Sequence, residues 1–190
     1  MRSSIALMLL MATLAACGQQ NGASHGTDRP SQPLDAPAPD SQPSRVFTPA
    51  SDAARSATGQ LTVTIATRLP DAGAANADAQ EVLTLHGANN LNIDAQILSA
   101  VSPATQVQGQ TLRALFGLPV EEPEVLVYRV SAETRAQNGQ GLCGANATAF
   151  VVMWEPSGPP NPVMKIMGVS GGAPGAGGAR ACPVLDYQIS

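Results

Sequence analysis

Leu61-Thr62-Val63-Thr64-Ile65-Ala66-Thr67 decides the fold class. Its large apolar residues recur at every second position, with threonines between them. Side chains of a strand point alternately to its two faces, so this period predicts a half-buried strand with one wet face. The same reading extends downstream. Residues 81–85 predict a second strand, His86-Gly87-Ala88-Asn89-Asn90 a turn, and Leu91-Asn92-Ile93 a third strand. Asp94 either caps a short helix or lets that strand run on through Ile97. The clearest strands follow at 124–131, 148–154, 163–169 and 184–189. Arg129, Lys165 and Asp186 interrupt their apolar runs, as expected where one face is exposed. Asn138-Gly139, Pro156-Ser157-Gly158-Pro159-Pro160 and the glycine-rich stretch 171–178 punctuate these runs as turns and loops. One helix is expected at 108–117, with Leu112, Leu115 and Phe116 on one face and Gly117 then Pro119 stopping it. The expected fold is mainly β: an antiparallel small barrel or sandwich with room for one short helix.

This pattern occupies residues 59–190, a normal size for one domain. Residues 18–58 read differently. Pro30, Pro33, Pro37, Pro39, Pro43 and Pro49 stand among Gln, Ser, Ala and Asp, and the large apolar residues are Leu34, Val46 and Phe47. Such a segment buries too little surface to offset its ordering entropy. It is expected to be a disordered, semi-extended tether, with His25 solvated within it.

Upstream again, Arg2 precedes the apolar run Ile5-Ala6-Leu7-Met8-Leu9-Leu10-Met11-Ala12-Thr13-Leu14. As a helix this run spans about 15 Å, half of a hydrocarbon core of roughly 30 Å. It therefore suits a signal peptide over residues 1–16 better than a spanning helix. Leu14-Ala15-Ala16-Cys17 resembles the lipobox of bacterial lipoproteins. That resemblance implies cleavage before Cys17 and attachment of lipid, palmitate included, to the Cys17 thiol. Two or more chains hold firmly where a single myristoyl group does not. Gly18, where an Asp would retain the protein in the inner membrane, favours an outer-membrane anchor facing the periplasm.

With Cys17 assigned to lipid, Cys143 and Cys182 remain, an even pair in an exported domain. A disulfide between them is expected, two buried free thiols being the alternative. With one histidine in the domain, His86, these residues fall short of a zinc ligand set, and no cofactor is expected. The chain carries 10 basic and 14 acidic residues, without a basic stripe for nucleic acid. A mildly acidic surface favours solvation or a basic partner.

Gly168-Val169-Ser170-Gly171-Gly172 resembles the nucleophile elbow of α/β-hydrolases, which would make Ser170 the nucleophile of an esterase. The residues after it, Ala173-Pro174-Gly175-Ala176-Gly177-Gly178, form helix poorly, and no histidine follows Ser170. No catalytic residue is expected, and the stretch reads as a flexible loop joining two strands. Glu121-Glu122-Pro123-Glu124 reads as a solvated loop. Trp154 and Arg180 are the residues expected to touch a partner, the first as a scarce aromatic and the second as a carboxylate-binding fork.

Val127-Tyr128-Arg129-Val130, Gly141-Leu142-Cys143-Gly144 and Ala181-Cys182-Pro183 with Tyr187 soon after resemble a module of small proteobacterial lipoproteins. That resemblance implies no activity. The expectation is a non-catalytic, membrane-anchored envelope protein that binds an envelope protein or a peptidoglycan-associated partner. The alternative is an inhibitor resembling those of C-type lysozymes, also small disulfide-bonded β-barrel lipoproteins.

Overall fold

The structure is a computed structural model, and it describes residues 44–68, 78–156 and 163–190. The expected signal peptide, Cys17 and most of the expected tether lie outside these residues. Twelve elements follow in chain order: β1 (Arg45–Pro49), α1 (Asp52–Ala57), β2 (Leu61–Arg68), β3 (Gln80–Gly87), β4 (Asn92–Val101), β5 (Gln106–Val107), β6 (Gln110–Thr111), α2 (Leu112–Phe116), β7 (Val125–Thr134), β8 (Phe150–Trp154), β9 (Val163–Ser170) and β10 (Arg180–Ile189). Eight of the strands close into an antiparallel barrel in the order β1-β10-β9-β8-β7-β4-β3-β2, with β2 returning to β1. Of the two expected architectures, the barrel is the one observed. Closure leaves no unpaired edge to template aggregation.

The period of two sets which side chains fill the barrel. Phe47, Leu61, Val63, Leu83, Leu85, Ile93, Ala95, Tyr128, Val151, Met153, Met164, Ile166, Leu185 and Tyr187 point inward and are buried. An eight-stranded barrel has an interior just wide enough for such side chains to fill. Outward positions on β2, β3 and β4 are Thr62, Thr64, Thr84, His86, Asp94 and Gln96. An apolar inside and a polar outside is the reverse of a membrane-spanning barrel. No helix among the described residues is long and apolar enough to cross a membrane.

A second core lies on the outer wall. The segment after β4 folds back along β7, β8 and β9, and Val107, Leu112, Phe116 and Leu118 cover Val127, Val152, Met167 and Val169. The Gly175 N–H donates to Gln106 O (2.9 Å), tying this strap to the loop between β9 and β10. The outer face of β9 is therefore wet only in part, contrary to the single exposed face expected from Lys165. Lys165 stays outward, 3.1 Å from Asp186 Oδ1, and Arg129 lies outward over Phe150.

Two other expectations are corrected and one open choice is settled. First, residues 45–57 belong to the fold and not to the tether. β1 completes the barrel with one inward apolar side chain, Phe47, while its backbone pairs with β2 and β10. Five residues with one inward apolar side chain produce no readable period, and Pro49 sits at the strand end, where proline is tolerated. Second, the helix expected at 108–117 is confined to Leu112–Phe116. Gln108 and Gly109 both have positive φ (54° and 81°), the geometry of a two-residue hairpin turn between β5 and β6. Third, the open choice at Asp94 is settled for the strand: β4 runs through to Val101, and Thr84 Oγ1 donates to Asp94 Oδ1 at 3.0 Å.

Candidate functional site

The two ends of the barrel are built differently. At one end α1 lies across the opening. Ser51 caps it, accepting from the Ala54 N–H (3.1 Å), and the fully buried Ala54 packs onto the core. The loop between β7 and β8 covers the rest, with Leu142 inserted among the core residues. Cys143 and Cys182 are disulfide-bonded, S–S 2.00 Å and Cα–Cα 5.1 Å, so this loop is fastened to β10. The Glu133 carboxylate organises the loop by accepting from Leu142 N–H (3.0 Å), Thr148 N–H (3.1 Å) and Thr148 Oγ1 (2.6 Å). Gly168 faces inward beneath this plug. A Cβ there would stand 2.7 Å from Cys143 Sγ, so only glycine fits. Tyr187 closes the wall from inside and shares a 2.6 Å hydrogen bond with Thr58 Oγ1. Burial pushes its phenol up to about 12.

The other end carries charge. Arg45 begins β1, and Glu155 follows β8. They form a two-pronged pair, Nη1 to Oε2 at 2.7 Å and Nη2 to Oε1 at 2.8 Å, with the guanidinium 5.3 Å from the centre of the Phe47 ring. Just inside, Tyr128 Oη donates to Glu81 Oε1 at 2.7 Å. Burial raises the Tyr128 phenol strongly; the Glu81 hydrogen bond and the charges of Glu81 and Glu155 add to this, and Arg45 opposes it. Both tyrosines therefore stay protonated at neutral pH, and Tyr128 acts as a neutral donor to Glu81.

Beside the Arg45–Glu155 pair is a cavity of about 250 Å³. Ile65, Leu126, Met153 and Trp154 give it an apolar lining, and Glu122, Glu124 and Glu155 give it acid. The Glu-rich loop is held by Arg113, whose guanidinium donates to the carbonyls of Pro119 and Glu122. The Glu122 and Glu124 carboxylates form no ion pair among the described residues. Val120, 81% exposed, projects from the same loop, and the other exposed large apolar side chains among the described residues, Val46, Leu98 and Ile189, lie on strands near this end.

The structure separates the two residues expected to touch a partner. Trp154 is 8% exposed and lines the open end. Arg180 is exposed at the start of β10, beside Ser170 at the plugged end. Along β9 the two positions differ by five residues, roughly 17 Å. Ser170 ends β9 and is followed by a turn rather than a helix. His86 lies on β3, four strands away around the barrel, where its Nδ1 donates to Asn92 Oδ1 at 2.6 Å. No group of three or more His, Cys, Asp or Glu able to hold a metal occurs among the described residues. Sequence reasoning missed Arg45, Glu81 and Glu155. Their one signal is position, each being a charged residue at or next to the end of an apolar strand. Comparison with family models, with curated proteins and with solved structures returns no match.

Proposed function

We propose that this chain is a lipid-anchored envelope protein whose barrel binds another envelope component without catalysing a reaction, its open end being the binding face. The observation that carries the reading is the asymmetry of the ends. One is closed by a helix and a disulfide-fastened loop, which leave an apolar recess of about 320 Å³ between Ala53, Leu142 and Pro183, and the other gathers carboxylates and exposed apolar side chains around its cavity of about 250 Å³. The interior is occupied by its own side chains, which leaves the mouth for recognition. The lipobox at Leu14-Ala15-Ala16-Cys17 supports the anchor, and a disulfide suits an oxidising compartment. Labelled palmitate fed to a bacterial host tests the anchor. Label is expected in the full chain and lost in Cys17→Ser; equal labelling of both, or of neither, contradicts it.

A second reading is favoured by the acid at the mouth. A disulfide-bonded barrel with carboxylates at one end matches a cationic lysozyme in charge, and complementary charge speeds and orients association. Titrating a C-type lysozyme with the full chain is the test: unchanged lytic activity at stoichiometric excess removes inhibition and leaves the first reading intact.

A further inference from the structure

We infer that the cavity at the open end is a socket for an arginine side chain presented by a basic partner protein. This deepens the proposed function, on which it rests, by assigning the chemistry of the partner. The size of the cavity is the first argument. At about 250 Å³ it falls below the roughly 300–1,000 Å³ of typical small-molecule clefts and suits one long side chain. The second is its lining. Ile65, Leu126, Met153 and Trp154 offer an apolar wall to the methylene stem, and Glu122 and Glu124 offer carboxylates with no ion pair among the described residues. An arginine combines those two needs, an apolar stem and a charged planar head.

The third argument is a precedent within the same mouth. Arg45 already lies there with its guanidinium forked onto Glu155 and set against the Phe47 ring. The incoming head would repeat this on the other side of the cavity, with carboxylates from the Glu122–Pro123–Glu124 loop and Trp154 as the aromatic neighbour. Tryptophan is the strongest aromatic partner for a cation. Uncompensated charge next to an apolar wall recognises a cation better than either feature alone, because the wall lowers the local dielectric.

Trp154 is the sole tryptophan of the chain and lines both this cavity and the outer core, so its fluorescence reports on that wall of the barrel. The experiment uses the full chain carrying Cys17→Ser, folded with its disulfide intact. The probes are a capped Gly-Gly-Arg-Gly-Gly peptide and its citrulline counterpart, which keeps the shape and loses the charge. The arginine peptide is expected to shift the emission saturably and the citrulline peptide to bind at least about tenfold more weakly, the loss of a charge-assisted contact. The double variant Glu122→Gln/Glu124→Gln is expected to weaken the arginine peptide about tenfold, and Arg180→Ala at the far end to change nothing. Both glutamate substitutions lie on a surface loop, and an unchanged circular dichroism spectrum with an unchanged melting temperature certifies the fold. No saturable shift, equal binding of the two peptides, or full binding by the double variant would each overturn the assignment. Partner capture at the mouth that persists in the double variant would overturn the arginine chemistry while leaving the binding face in place.

Discussion

The plugged and open ends of this barrel solve the same problem in opposite ways. Both must end a column of apolar side chains without leaving it wet. At the plugged end the chain covers the column with itself: Ala54 of α1, Leu142 of the β7–β8 loop, and a disulfide holding that loop down. At the open end the column stops at a layer of charge, with Tyr128 bonded to Glu81 and Arg45 to Glu155. The lesson is that covering elements gather at one end, which frees the other to keep unpaired, solvated carboxylates and exposed apolar groups. A surface of that kind lowers stability slightly and is retained where it meets something.

If that division holds, substitutions at the plug should unfold the protein and substitutions at the mouth should not. The largest effect is expected from Cys143→Ala/Cys182→Ala. Opening a loop closed over a sequence separation of 39 residues should cost about 4 kcal/mol in the chain-entropy treatment. A denaturant titration showing a loss near 1 kcal/mol would mean that the plug contributes little. Next comes alkaline pH. The Tyr187 phenol stands at about 12 folded against 10.0 unfolded, so its contribution is complete below pH 10 and declines as pH rises towards 12. That shift corresponds to about 3 kcal/mol, with Tyr128 acting in the same direction. Tyr187→Phe should flatten the fall in stability between these pH values, measured by urea unfolding at stepped pH. A wild-type stability independent of pH across this window would contradict the burial of both rings.

Smaller effects sharpen the contrast. Gly168→Ala pushes a methyl group against Cys143 Sγ and Leu142 and should cost about 2 kcal/mol, read as a lowered melting temperature. Arg45→Met removes a half-exposed ion pair and should cost at most about 1 kcal/mol. A loss at the mouth larger than that at Gly168 would reverse the assignment of the two ends.

How much of this was legible in the sequence follows from where each signal comes from. The wall was readable because Val63, Leu83, Val151, Ile166 and Leu185 keep a period of two. The disulfide was readable because the expected lipidation of Cys17 leaves two cysteines, Cys143 and Cys182, to pair. β1 was hidden because Phe47 is its single inward apolar side chain and backbone pairing leaves no composition behind. The strap over β7–β9 reads as one helix because Leu112, Leu115 and Phe116 keep a helical spacing, which does not show the hairpin that Gln108-Gly109 sets just before them. The mouth was the least legible part. Arg45, Glu81, Glu124 and Glu155 are scattered along the chain, and only closure of the barrel gathers them at one end. The loop at 121–124 reads as solvated by composition, and it is solvated; what composition cannot carry is that an apolar cavity lies beside it.

The central claim is that recognition happens at the open end. Site-specific photocrosslinking in cells tests it most directly, with a photoreactive residue placed at Glu124 in one strain and at Ser56, on the outside of the plug, in another. A discrete adduct from position 124 and none from position 56 is the expected result. An adduct from position 56 alone, or equal adducts from both, would contradict it.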